Sequence, residues 1–149
     1  MKKRQFILVA EDDMDDKFML QTIFEDSGKS DLLEFVENGL ELINYLDHIN
    51  KNEDTLFYPH FILLDLNMPK MDGRQALKEL KSHSAYKKIP IIIFSTTKNE
   101  TEINRCYELG ANSYIVKPYN YKDLTQIMDT VNSYWLKTAE IPDIKLNTN

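Results

Sequence analysis

The chain has 149 residues, 42% of them hydrophobic, which is the size and apolar content of one domain around one core. Its net charge of −6, from 24 acidic and 18 basic side chains, argues against sequence-independent binding to nucleic-acid phosphates. The single cysteine, Cys106, cannot close an internal disulfide, and no run approaches the roughly 20 apolar residues of a bilayer span, so the expected setting is cytoplasmic and off the membrane.

Along the chain, short apolar runs alternate with segments of helical spacing. Residues 1–4 are basic, but the apolar run 6–10 behind them stops at Glu11 and Asp12, too soon for a signal peptide, and reads as the first strand. Met19, Leu20, Ile23 and Phe24 then form one helical face, closed by Gly28 where a left-handed residue ends a helix. A second strand spans 32–36, followed by the candidate cap Asn38, Gly39 and a helix facing inward through Leu42, Ile43, Leu46 and Ile49. Residues 51–58 form a longer polar connection, and Pro59 precedes the third strand, 61–64. A turn with Pro69 and Asp72 leads through Gly73 into a helix with Ala76, Leu77 and Leu80 on its apolar side. The fourth strand, 91–94, follows Pro90, and Ile103, Cys106 and Tyr107 mark the next helix, closed by Gly110. The fifth strand, 113–116, precedes Pro118, and the last helix carries Leu124, Ile127, Met128, Val131 and Trp135 at i, i+3, i+4, i+7 and i+11. From about Lys137 no apolar face repeats, and the tail is expected to be loosely held.

Strict strand–helix alternation, with near-continuous apolar strands, implies an α/β fold: a five-stranded parallel sheet, doubly wound, with helices on both faces. In such sheets the site lies beyond the carboxyl ends of the strands. There the first strand ends in Glu11-Asp12-Asp13, the third in Asp65, the fourth in Ser95-Thr96-Thr97 and the fifth in Lys117-Pro118. Glu11, Asp12 and Asp65 would repel by roughly 4 kcal/mol per pair at about 4 Å and an effective dielectric of about 20. A hard divalent cation removes that conflict, and an all-oxygen set suits Mg²⁺. Lys117 and Ser95 would add an ammonium and a hydroxyl for a bound phosphoryl group, and a carboxylate so placed can attack phosphorus to give an aspartyl phosphate.

Each of these residues has a plainer reading. Asp13, Asp15 and Asp16 stand where the first helix begins, and capping with a favourable helix dipole accounts for them better than metal ligation. Ser95 can bond a neighbouring backbone group, and Tyr114 can be a half-buried strand aromatic. Cys106 reads as packing. His48, His60 and His83 share no ligand spacing, and the pair Lys87-Lys88 is too short for a nucleic-acid footprint.

Four blocks in order, ILVAEDD, FILLDLNMPKMDG, IIIFSTT and ANSYIVKP, resemble the receiver domain of two-component response regulators over about residues 5 to 136. The stretch YELGANSYIVKP and the pair Tyr134-Trp135 resemble most the single-domain receivers paired with phytochrome-type histidine kinases. The resemblance implies the flavodoxin-like strand order 2-1-3-4-5, a receiver domain over 1–136, and a tail, 137–149, without a folded output domain. It implies Asp65 as phosphoacceptor, Mg²⁺ held by Asp12, Asp65 and the Asn67 backbone carbonyl, and Glu11 reaching the metal through water. Lys117 is implied to hold a phosphoryl oxygen, with a cis peptide to Pro118. Ser95 and Tyr114 take the switch positions, while Asn67 and Thr97 tune autodephosphorylation.

The expected function is a stand-alone phosphorylatable regulator. It receives its phosphoryl group from a sensor histidine kinase and signals to a downstream protein, and it is not a turnover enzyme. A homodimer through the fourth helix, fifth strand and fifth helix is expected as an interaction face, with Tyr119, Tyr121 and Tyr134 adding exposed aromatic surface. Two rivals remain at this stage: a receiver-like adaptor that works without phosphorylation, and a Mg²⁺-dependent phosphohydrolase. The latter wants a second acid where Asn67 stands.

Overall fold

Five short, mostly apolar runs rich in β-branched or aromatic residues pair as parallel strands: β1 Ile7–Ala10, β2 Leu33–Val36, β3 Phe61–Leu64, β4 Ile91–Ser95 and β5 Ser113–Val116. Their order is β2-β1-β3-β4-β5. The computed structural model describes residues 5–52 and 57–142; the basic start, residues 53–56 of the polar connection and the tail from 143 onward lie outside the described residues. Between the strands run α1 Met14–Asp26, α2 Gly39–Lys51, α3 Gly73–Ser82 and α4 Glu100–Glu108, with α5 Tyr121–Asn132 after β5.

Strands β1, β3 and β4 are buried along their whole length, as expected where helices cover both faces, whereas the edge strands β2 and β5 are only partly covered. The period-2 alternation divides the core into two layers. Leu8, Ala10, Ile62, Leu64, Ile91 and Ile93 face α2, α3 and α4 through Leu42, Leu46, Ala76, Leu77, Leu80 and Cys106. Ile7, Val9, Phe61, Leu63, Ile92 and Phe94 face α1 and α5 through Leu20, Ile23, Phe24, Leu124, Met128 and Val131. Each buried Leu, Ile, Val, Phe or Met among them contributes about 1.5–3 kcal/mol.

Every long helix starts on a side-chain cap. Asp13, Asn38, Asp72, Asn99 and Asn120 each accept the backbone N–H three residues on, worth about 1 kcal/mol apiece. The caps after β1, β4 and β5 let those helices begin within a few residues of the strand ends, whereas residues 65–72 form a longer loop between β3 and α3.

The structure departs from the expected elements in three places. Tyr107, expected on the apolar face of α4, is exposed; its hydroxyl accepts the Tyr114 N–H at 3.1 Å. The reason is that α4 covers an edge strand whose outward N–H groups lack a ladder partner, and the tyrosine supplies one. Helix α5 does not run as a regular α-helix to Trp135. It widens into a π-helical segment, Ser133–Thr138, with Ala139 N–H bonded to Tyr134 C=O at 2.7 Å, and Trp135 turns onto the ring of Phe61 at 6.4 Å. Finally, no described peptide bond is cis, so the Lys117–Pro118 bond is trans. Trans is the isomer favoured intrinsically by about 0.5–1 kcal/mol, and Lys117 reaches the acids from it.

Candidate functional site

Strand register brings the distant acids together. Because Ala10 pairs with Leu64, the next residues, Glu11 and Asp65, emerge side by side, and the Asp65 N–H donates to Ala10 C=O at 3.1 Å. Ser95 pairs with Val116 across β4 and β5, and the Lys117 N–H donates to Ser95 C=O at 2.8 Å. Helix α3 packs so closely behind Asp65 that a Cβ on Gly73 would lie 2.1 Å from the Asp65 carbonyl oxygen.

Glu11, Asp65, Ser95 and Lys117 are all buried, although three of them are charged types; Asp12 is exposed. The Lys117 ammonium uses all three donors. It bonds Glu11 Oε1 at 2.5 Å, Asp16 Oδ2 at 2.8 Å and Asp65 Oδ2 at 3.2 Å, with the Phe94 ring 5.8 Å away. The second Glu11 oxygen accepts the Asp13 N–H at 3.2 Å. Burial pushes the Glu11 carboxyl up to about 7 against the pull of Lys117, and nearby Asp65 adds to the rise. For Lys117 burial works downward, but its bonds to Asp16 and Glu11 and the charge of Asp65 outweigh this and hold the ammonium above the ordinary lysine value.

Glu11, Asp12 and Asp65 each place a carboxylate oxygen within 4.8 Å of the others. At that separation two unit charges repel by about 3.5 kcal/mol with an effective dielectric of about 20. The donor set is all oxygen, which suits a hard cation, and a small closing of these side chains brings the oxygens to the spacing set by ligand distances of about 2.0–2.1 Å. The residues present thus fit a divalent ion. Asn67 lies exposed two residues beyond Asp65.

Ser95 and Tyr114 meet through one residue. The Thr97 N–H donates to Ser95 Oγ at 3.3 Å, and the Tyr114 hydroxyl donates to Thr97 C=O at 2.8 Å. The loop between β4 and α4 is therefore held on both sides of Thr97, and the half-buried Tyr114 packs on the core beneath it.

The expected residues Glu11, Asp12, Asp65 and Lys117 converge. Asp16 joins them, although local rules read it as part of a helix start. Asp13 provides the cap, while the Asp16 carboxylate leaves the helix end for Lys117. The overlooked signal was geometric: α1 starts directly behind β1, so a side chain one turn along from Asp12 still borders the strand ends.

A family model described as the response regulator receiver domain matches residues 7–129. Response regulator Rcp1 of Synechocystis sp. is 35% identical over 136 residues, which are 91% of this chain and 92% of that protein. The crystal structure of the phosphorylated cyanobacterial phytochrome response regulator RcpA superposes with a TM-score of 0.82 at 35% identity, covering 95% of this chain and 99% of the other. The Mn²⁺-bound form of response regulator Rcp1 superposes at 0.79 and 34% identity, covering 93% and 99%. No helix among the described residues is long and apolar enough to cross a membrane.

Proposed function

Since the chain belongs to the response regulator receiver domain family, we propose that Asp65 is its phosphoacceptor and takes a phosphoryl group from a phosphohistidine on a sensor histidine kinase. One observation carries this reading: the buried Asp65 carboxylate lies 3.2 Å from the Lys117 ammonium and within 4.8 Å of two further acids at one sheet edge. A carboxylate oxygen of Asp65 attacks the phosphorus, and the P–N bond breaks with its electron pair passing to the imidazole. An acyl phosphate remains on Asp65.

Asp12, Asp65 and the Asn67 carbonyl would hold Mg²⁺. Glu11 would act through water, a role supported by the donors already on both its oxygens. When bound, the ion offsets the charge of the transferring group. Lys117 pairs with a phosphoryl oxygen. The Ser95 hydroxyl turns to another oxygen and releases the Thr97 N–H; the loop after β4 then shifts, and Tyr114, bonded to the Thr97 carbonyl, moves with it. The phosphoryl group thereby biases two loop populations. Asn67 and Thr97 tune the rate at which water removes the group.

The receiver unit is 1–136, the setting is cytoplasmic, and the output is contact with a downstream protein or a second copy through α4, β5 and α5. Exposed Tyr107, Tyr119, Tyr121 and Tyr134 on and beside that face support it. The test of the acceptor is transfer from a labelled kinase in Mg²⁺: Asp65→Asn takes up no label, and uptake at the wild-type rate refutes the assignment. Sedimentation with and without beryllofluoride tests the dimer, and a monomer at high concentration in both states refutes it.

A further inference from the structure

The ammonium of Lys117 has three protons to donate, and three carboxylates already accept them. A phosphoryl group arriving on Asp65 brings new oxygens and no new donor. The Asp65 bond passes to one phosphoryl oxygen, and a second bond from that group to Lys117 displaces one of the other two acceptors. Glu11 does not give way cheaply, because its side chain is 2% exposed and bulk water cannot replace the lost bond. The Asp65 side chain, 10% exposed, carries the incoming group itself. The Asp16 side chain is 39% exposed, so water replaces its lost bond at once.

We infer that Asp16 is a positioning residue of the site: it holds Lys117 when Asp65 is unmodified and yields that donor to the phosphoryl group, so it acts as a competitor that weakens the phosphorylated state. The inference rests on Asp65 being the phosphoacceptor. Its second support is the cavity of about 140 Å³ that Asp16 and Lys117 share with Met19, Leu20, Phe94 and Thr96. The cavity leaves room for the released carboxylate to swing clear without unpacking α1. Of the other charged groups at this helix start, Asp13 and Asp15 are exposed, Asp13 is occupied as the cap, and Lys17 pairs with Glu37 at 3.0 Å.

The experiment titrates beryllofluoride into the full chain at saturating Mg²⁺, for wild type, Asp16→Asn, Asp16→Glu and Asp15→Asn. Asp16→Asn should bind about two- to five-fold tighter, the range expected from an exposed ion pair. Asp16→Glu should return toward wild type, and Asp15→Asn, which removes the same charge one residue away, should not change. In metal-free protein, the Lys117 ammonium protons should exchange faster with solvent in Asp16→Asn than in wild type or Asp15→Asn, measured by nitrogen-detected magnetic resonance. Equal affinities for Asp16→Asn and Asp15→Asn would overturn the inference, as would weaker binding by Asp16→Asn. Wild-type protein that binds no beryllofluoride would instead overturn the phosphoacceptor reading beneath it.

Discussion

Replacing Lys117 with methionine keeps the length of the stem and removes the charge that three carboxylates share. Glu11 and Asp65 are buried, at 2% and 10% side-chain exposure, so neither can turn to bulk water for a new partner. One-sided loss of a buried ion pair costs about 3–5 kcal/mol. In a domain of this size each kcal/mol moves the melting temperature by about 2–4 °C, so Lys117→Met should melt about 6–20 °C below wild type in EDTA. A divalent ion addresses the same acids, and at a hundred times its dissociation constant it stabilises by about 2.7 kcal/mol. Mg²⁺ should therefore raise the melting temperature of the variant by more than it raises that of wild type, because the ion meets acids with no competing cation. Calorimetry of both proteins in EDTA and in Mg²⁺ measures all four values. If Lys117→Met in EDTA melts within about 2 °C of wild type, the ammonium is not the counter-ion of this cluster and the electrostatic account fails.

Three further substitutions test the frame around the site. Gly73→Ala places a methyl 2.1 Å from the Asp65 carbonyl oxygen, so α3 or the β3 end must shift. A cost of about 1–3 kcal/mol in urea melts is expected, together with slower phosphoryl uptake; unchanged uptake would show that α3 does not seat Asp65. Lys70, which follows Pro69, is the described non-glycine residue with a left-handed backbone, at φ 64°. Lys70→Gly should stabilise by about 1 kcal/mol by removing a Cβ clash, and a loss of stability would contradict this. Tyr86 stacks on His83 at 3.7 Å and donates its hydroxyl to Asp47 at 2.6 Å, joining α2 to the segment before β4. Tyr86→Phe should cost about 1.5–3 kcal/mol in the urea midpoint analysis, with the aromatic stack intact; a neutral result would mean the bond adds nothing net.

Much of this protein was readable from neighbouring residues alone. Near-continuous apolar runs, helical faces such as Leu42-Leu46-Ile49, and caps such as Asn38 and Asp72 depend on residues a few positions apart, so local sequence determines them. The alternation of elements then dictated a parallel sheet, and that sheet put Asp65 and Lys117 at one edge. The strand order itself came from resemblance to known receivers, because alternation permits several orders. Tertiary structure decided what depends on approach angles between elements far apart in sequence. Asp16 and Lys117 are 101 residues apart, and a cap rule that looks three residues ahead has no view of an ammonium arriving from β5. The outward turn of Tyr107 and the widening of α5 around Trp135 follow equally from what stands opposite them: an edge strand's spare N–H group and the ring of Phe61. Sequence patterns specify which face of an element is apolar; only the packed molecule specifies which polar atom meets another across the gap, because that choice is made by register and by competition for a limited number of donors.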